Sequence, residues 1–126
     1  MIVADTSYVV EGLLHNAGLF SKETLVVPDL TLYETANILW KHQQLIQDLK
    51  DASEHLEILE KLVSEGTLVL VRPDGELTRK AYNLSIKHKT PFYDTVFVAL
   101  ALQLKLDLKS FDKAQIRILT EAQQPR

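Results

Sequence analysis

Short apolar runs that alternate with helix-patterned segments constrain the fold of this chain most strongly. Residues 2–4, 24–27 and 67–71 are short, apolar and bounded by polar or turn-forming residues, which is typical of buried strands. A segment with helix-capping residues or helical apolar spacing follows each of them. Strands that alternate with helices predict a mostly parallel sheet with helices on both faces, a three-layer α/β/α sandwich.

The remaining segments fill in this α/β pattern. Helices are predicted from about residue 6 to 16, at 30–46, from a capping-box pattern at 51–54 to a stop at Gly66, at 76–89, and from Pro91 to about 105. Residues 106–109 predict a weaker, more polar strand, and residues 116–119 are compatible with either helix or strand. Because no Pro/Gly-rich linker interrupts the chain, we expect one domain over residues 1–126.

Composition limits the class of protein. The chain contains no cysteine, which excludes disulfides and thiolate metal sites and favours a reducing, cytoplasmic location. The apolar run at 96–102 is far shorter than the roughly 20 residues of a membrane span, and no signal-peptide pattern begins the chain. A net charge of −3 argues against a broad basic face for nucleic acid. Metal cations bound by clustered acids would make the local electrostatic potential positive, in spite of the negative net charge.

Acidic residues occur where the predicted strands lead into helices. Asp5 ends the first strand, Glu34 lies early in the helix after the second, and Asp112 follows the last. Asp94 lies in the first turns of the helix that Pro91 opens. Ligands of open parallel sheets bind beyond the carboxyl ends of the strands, so we expect these carboxylates to converge. Clustered carboxylates repel one another and need cations, and oxygen ligands favour Mg²⁺ or Mn²⁺, which support phosphodiester hydrolysis.

Each acid has an ordinary structural explanation when it is taken alone. Asp5 and Asp112 suit helix N-caps, Asp94 suits a helix N-terminus, and Glu34 suits a solvated helix face. Their joint occurrence at strand ends favours a site. The histidines lack metal-binding spacing, and no P-loop, G-x-S-x-G or G-x-G-x-x-G motif is present, which excludes NTPases, serine hydrolases and dinucleotide enzymes of those types.

Four segments resemble, in order, the motifs of PIN-domain nucleases, especially VapC-like toxins of toxin–antitoxin pairs. They are VADTS at 3–7, LYETANIL at 32–39, YDTVFVALA at 93–101 and SFD at 110–112. The resemblance implies a PIN-like α/β sandwich and a ribonuclease dependent on Mg²⁺ or Mn²⁺ that cuts RNA internally. It implies that the metal-site acids are Asp5, Glu34, Asp94 and Asp112, with supporting polar residues Ser7, Asn37 and Ser110.

The same resemblance implies a homodimer and an antitoxin segment bound in a groove between helices. Apolar surface near Leu13, Leu14 and residues 56–62 would suit such a partner. Two features depart from the family pattern: Ser110 stands where threonine is usual, and the chain after Asp112 looks short for a final helix and strand. The placement of Asp112 is therefore the least constrained.

Two other functions stay open on the sequence. One is a PIN nuclease of RNA maturation or decay without an antitoxin, and the other is a catalytically silent PIN-like module that binds RNA or protein. Lysines and arginines at 79–80, 87–89, 105, 109 and 113 form either an RNA-guiding rim or a solvated face. Five aromatic residues are candidates for stacking on exposed bases of single-stranded RNA: Tyr33, Trp40, Phe92, Tyr93 and Phe111. Helical spacing predicts core packing for most of them, whereas Tyr93 and Phe111, each next to an acid, are expected to be partly exposed.

Overall fold

The predicted alternation of strands and helices is present in the computed structural model, which describes residues 1–124. The elements are β1 (Ile2–Ala4), α1 (Thr6–Leu14), β2 (Leu25–Pro28), α2 (Leu30–Lys41), α3 (Ser53–Ser64), β3 (Leu68–Val71), α4 (Gly75–His88), α5 (Phe92–Leu104), β4 (Leu108–Lys109) and α6 (Lys113–Gln123). A 3₁₀ turn covers Ala17–Ser21, and a π-helical turn at His42–Ile46 extends α2. No helix within these described residues is long and apolar enough to cross a membrane.

All four strands are parallel and lie in the order β3-β2-β1-β4. Val3 pairs with Val26 on one side and with Leu108 on the other, so β1 is a central strand. Every residue of β1 and β2 is buried, as expected for central strands with helices on both faces. The carboxyl ends of β1 and β4 are therefore neighbours at one edge of the sheet.

Alternate residues of the strands feed two separate cores. Val3 and Val26 pack with residues of α4, α5 and α6, whereas Ile2, Ala4 and Leu25 pack with residues of α1 and α3. Successive side chains of a strand point to opposite faces, so this division places helices on both faces of the sheet. The predicted three-layer α/β/α sandwich is confirmed.

Helix α5 is the most buried helix and fixes the position of Asp94. Its residues from Thr95 to Ala101 are all buried, which agrees with an apolar surface on every side. The Thr95 hydroxyl donates to the Ala81 carbonyl oxygen at 2.9 Å and lies 2.6 Å from the Ser85 hydroxyl. These contacts join α5 to α4 one residue after Asp94.

Two predicted helix starts differ in detail from the structure. The capping-box prediction at 51–54 is wrong, because Ala52 is the N-cap of α3 and supplies no side-chain cap. Asp51 instead accepts hydrogen bonds from the Ser53 backbone N–H and hydroxyl, at 2.9 and 2.6 Å. Pro91 is the N-cap of α5 rather than a residue of its first turn.

The chain after Asp112 forms a helix. Residues 116–119, ambiguous in the sequence, belong to α6, where Ile118 and Leu119 pack into the core with α5. No fifth strand follows α6 within residues 1–124. The sequence predicted that the final helix and strand would be abbreviated. Within residues 1–124 the helix, α6, is present, and no strand follows it.

Exposure of apolar side chains differs from the helical-spacing prediction. Tyr33 and Trp40 are 69% and 51% exposed, and Phe92 is exposed as well, so core packing was the wrong prediction for all three. A residue can lie on the apolar face of a short helix and still be exposed where no neighbouring element packs over it. Tyr93 and Phe111, each 62% exposed, behave as expected. Of the apolar surface proposed for a partner, Leu13 and Leu59 are buried in the core, while Leu56 and Ile58 are exposed.

Candidate active site

Asp5 is the buried centre of the acidic cluster. It ends β1 and caps α1, and only 3% of it is exposed. Its Oδ1 accepts hydrogen bonds from the Tyr8 backbone N–H at 3.1 Å and from the Ser7 hydroxyl at 2.6 Å. Its Oδ2 accepts a short hydrogen bond from the Ser110 hydroxyl. These donors hold the carboxylate in one orientation and stabilise its charge.

The Ser7 and Ser110 hydroxyls also hold the loop between β4 and α6. The Ser7 hydroxyl accepts from the Phe111 backbone N–H at 3.0 Å, and the Ser110 hydroxyl accepts from the Asp112 backbone N–H at 2.8 Å. The Asp5 backbone N–H donates to the Lys109 carbonyl oxygen at 3.1 Å, as part of the β1–β4 pairing. Both serines therefore link this loop to Asp5.

Glu34 lies near the amino end of α2 and contacts α1. Its Oε1 accepts a hydrogen bond of 2.7 Å from the Thr6 hydroxyl. Partial burial raises the pKa of Glu34, the Thr6 hydrogen bond opposes that rise, and the negative charges of Asp94 and Asp5 add to it. Glu34 therefore experiences the negative charge of two of the other three predicted acids.

Asp94 lies in the first turn of α5 and faces the amino end of α6. Partial burial raises its pKa, and the negative charges of Asp112 and Asp5 raise it further. The Gln115 side-chain amide, 3.4 Å from Asp94 Oδ1, acts in the opposite direction. Gln115 is only 4% exposed, and its Oε1 has no hydrogen-bond partner among the described residues.

Asp112 is the N-cap of α6 and completes the cluster. Its Oδ1 accepts from the Ala114 backbone N–H at 2.9 Å. Each of the four predicted acids lies at or near the amino end of a different helix, and the charges of Asp5 and Asp112 act on Asp94 while those of Asp5 and Asp94 act on Glu34. The positive ends of the helix dipoles offset part of the repulsion among the carboxylates.

The predicted supporting residues occupy different places. Ser7 and Ser110 contact Asp5 directly. Asn37 is exposed on α2, one turn beyond Glu34, and its side chain makes no hydrogen bond to residues 1–124. The sequence reasoning missed Thr6 and Gln115. Thr6 lies within the Asp-Thr-Ser segment, which is a signal that could have suggested it, whereas Gln115 lies where the secondary structure was ambiguous.

The donor set fits a hydrated, hard cation. The side chains are carboxylates and hydroxyls, and within residues 1–124 none of the four acids pairs with a lysine, arginine or histidine. Among the same residues, no three acidic, histidine or cysteine side chains are close enough to hold one ion together. Mg²⁺ usually keeps several waters and binds through one or two carboxylates, so oxygen donors of this kind suit Mg²⁺ or Mn²⁺.

Three of the predicted basic residues line a cavity apart from the acidic cluster. A cavity of about 890 Å³ lies beside α4, and its described lining includes Arg79, Lys80 and Lys87 but none of the four acids. Glu76 and Glu121 share that lining, so the cavity has mixed charge. These basic residues therefore belong to a face of α4 separate from the acidic cluster. Lys109 and Lys113, by contrast, flank the loop at 110–112.

Comparisons with known proteins agree with this architecture. Ribonuclease VapC3 of Pyrobaculum aerophilum is 34% identical over 85 residues, which is 68% of this chain. The matched region spans 63% of that relative, less than two thirds of its length. The crystal structure of PAE2754 from Pyrobaculum aerophilum is similar with a TM-score of 0.73 and 22% identity, over 93% of this chain and 83% of that one. A model of the PIN domain matches residues 2–119, and the chain therefore belongs to the PIN-domain family.

Proposed function

We propose that this protein is a metal-dependent endoribonuclease that hydrolyses RNA phosphodiester bonds at its acidic cluster. The observation that carries the proposal is that Glu34 and Asp94 each experience the charge of two other predicted acids, while within residues 1–124 none of the four acids pairs with a cationic side chain, in a chain of the PIN family. A cluster of partly buried carboxylates is costly to fold. That cost is explained if the cluster binds cations and acts on a phosphodiester.

Asp5 and the two acids with raised pKa values have different roles in this proposal. Asp5 is held by three donors and would be the fixed ligand. Glu34 and Asp94, whose pKa values are raised, gain most from a nearby positive charge. When bound, Mg²⁺ or Mn²⁺ would polarise the phosphodiester and lower the pKa of a water. The hydrogen bonds from Thr6 and Gln115 would hold the Glu34 and Asp94 carboxylates in position for metal binding.

The finer part of the proposal is the role of toxin, restrained by an antitoxin. The similarity to Ribonuclease VapC3 and the order of the four motifs support it. An apolar groove between α2 and α3 offers a place for the antitoxin, and its lining includes Trp40, half exposed, and Leu56. A homodimer and a cytoplasmic location are parts of the same proposal.

Cleavage of an end-labelled, structured RNA tests the activity. The purified protein, freed of any copurified partner, is incubated with Mg²⁺, with Mn²⁺ or with EDTA, beside Asp5→Asn and Asp94→Asn. Asp107→Asn is the matched control, because Asp107 is exposed on the amino-terminal side of β4, away from the cluster. We expect metal-dependent cuts with the parent protein and Asp107→Asn, and loss of at least about a hundredfold in the other two variants.

Either of two results would contradict the proposal. Absence of cleavage by the parent protein in every metal and across several RNAs would indicate a silent binding module instead. Calorimetry gives the second test, because Asp5→Asn must bind Mn²⁺ more weakly than the parent. Equal affinity for Mn²⁺ would show that Asp5 is not a metal ligand, whatever the cleavage assay shows.

A further inference from the structure

Gln115 is a buried polar residue on the face of α6 that packs against α5. It shares the buried face of α6 with Ile118 and Leu119, and only 4% of it is exposed. Ile118 and Leu119 pack into the apolar core with residues of α5. An amide at such a position loses hydration that an apolar side chain would not need, so a polar role is required to explain it.

One end of the Gln115 amide has a partner, and the other end has none. Its Nε2 donates to Asp94 Oδ1 at 3.4 Å. Its Oε1 is buried and accepts no hydrogen bond from residues 1–124. A buried acceptor that gains no donor on folding destabilises the fold, and native proteins contain few of them. The free oxygen therefore belongs to the side chain that also contacts one of the four acids.

The usual local partner of such a glutamine is already engaged. Gln115 is the third residue of α6, whose N-cap is Asp112. In a capping box, a glutamine at this position accepts a hydrogen bond from the backbone N–H of the N-cap residue. Here the Asp112 N–H donates to the Ser110 hydroxyl at 2.8 Å, and Ser110 donates to Asp5. The Gln115 amide is thereby free to face Asp94 instead of the start of its own helix.

The neutral charge of this amide suits its place beside Asp94. A lysine or arginine there would compete with a metal cation for the Asp94 carboxylate. A further carboxylate would add to the repulsion that Asp112 and Asp5 already exert on Asp94. Glutamine supplies one acceptor and two donor hydrogens without a charge. It can therefore hold a carboxylate and a second polar group at the same time.

We propose that Gln115 is a positioning residue of the metal site, whose Oε1 accepts a hydrogen bond from a water in the hydration shell of the cation beside Asp94. This inference rests on the proposed function, because it needs a cation at the acids. A water bound to a cation through its oxygen keeps both protons available for donation, and Mg²⁺ retains several such waters. Both ends of the amide are then used: Nε2 holds the Asp94 carboxylate, and Oε1 holds the water.

Mn²⁺ affinity and metal-free stability together test the proposal. Gln115→Met keeps an unbranched side chain of similar length and removes the amide. Calorimetry should give a Kd for Mn²⁺ at least about tenfold higher than that of the parent, as is usual when a residue that orients a metal ligand is lost. In EDTA the variant should unfold at the temperature of the parent or above it, because it buries no unpaired oxygen. A purely structural amide predicts the opposite, a lower Tm in EDTA with an unchanged Kd.

Gln103→Met is the matched control. Gln103 Oε1 is also buried without a partner among residues 1–124, but Gln103 lies nine residues after Asp94 on α5, about 13.5 Å along the helix axis. Its replacement should leave the Kd for Mn²⁺ unchanged. A crystal structure of the parent protein with Mn²⁺ locates the water, and we expect Gln115 Oε1 within about 3.2 Å of a water bound to the ion.

The proposal is overturned if Gln115→Met binds Mn²⁺ like the parent, if it unfolds at a clearly lower temperature than the parent in EDTA, or if Gln103→Met weakens binding equally. It is also overturned if Gln115 Oε1 contacts no water of the bound ion, or binds the ion directly. Absence of Mn²⁺ binding by the parent would overturn this proposal and the proposed metal site together. Mn²⁺-dependent cleavage by the parent, with equal Mn²⁺ affinity in Gln115→Met, would remove the role of Gln115 and leave the nuclease.

Discussion

Replacing Ser110 with alanine tests how the loop at 110–112 is held against the end of β1. The hydroxyl donates to Asp5 Oδ2 and accepts from the Asp112 backbone N–H, so one substitution removes two hydrogen bonds. Among residues 1–124, Ser110 is the only donor to that oxygen. Alanine therefore leaves a buried carboxylate oxygen without a protein partner. Ser7→Ala is milder, because Asp5 Oδ1 keeps the Tyr8 N–H.

The magnitude follows from the charge and burial of Asp5. A hydrogen bond to a charged group contributes about 1.5–3 kcal/mol, and Asp5 is 3% exposed, so little solvent can replace it. We expect Ser110→Ala to lower the free energy of unfolding by about 2–3 kcal/mol. For 126 residues, each kcal/mol corresponds to about 4 °C in Tm, which gives a fall of roughly 8–12 °C. Ser7→Ala should lose about half as much.

Thermal unfolding followed by circular dichroism in EDTA measures both variants without metal. Ser110→Thr is the control, since threonine keeps the hydroxyl, and its Tm should stay within about 2 °C of the parent. The reasoning fails if Ser110→Ala unfolds at the temperature of the parent. It also fails if Ser7→Ala is the more destabilised of the two, because Oδ1 has a second donor and Oδ2 does not.

Two further predictions concern stability. The pKa values of Glu34 and Asp94 are raised, chiefly by burial and then by neighbouring carboxylates, so above about pH 4 these two groups bind more protons in the folded, metal-free protein than in the unfolded chain. Its free energy of unfolding should therefore fall as pH rises from about 4 through the raised values, and less steeply in Asp94→Asn; equal slopes in urea titrations would count against this. Gly12→Ala places a Cβ 2.5 Å from the Phe20 ring and should cost about 1–3 kcal/mol in urea unfolding. Gly75→Ala, with no atom within 4 Å, should change stability by less than about 0.5 kcal/mol, and equal effects of the two would refute the contact.

The sequence predicts the layers well because one-dimensional patterns determine them. Every residue of β1 and β2 is apolar, which already requires helices on both faces of the sheet. The convergence of the acids follows from the same pattern, since Asp5 and Asp112 both lie just past parallel neighbouring strands. The topology of the sheet determines which strand ends are neighbours, and the order of strands and helices along the sequence predicts that topology.

Contacts between helices are not determined by such patterns. The hydrogen bond from Thr6 to Glu34 depends on how α1 and α2 approach each other, and that from Gln115 to Asp94 depends on where α6 begins. Neither distance can be derived from spacing along the chain. The exposure of Tyr33 has the same origin, because helical periodicity indicates a face but not whether another element covers it.

The hydrogen bond between Ser110 and Asp5 joins residues 105 positions apart, and this sets an order of events during protein synthesis. Chains emerge from the ribosome amino end first, and a domain generally folds as a unit. A nascent chain that has reached the end of α5 contains Asp5, Glu34 and Asp94 but lacks both Ser110 and Asp112. Ser110 and Asp112 join Asp5 only once the segment that follows α5 has been translated. Under the proposed function, the site therefore stays incomplete until the segment after β4 has been made.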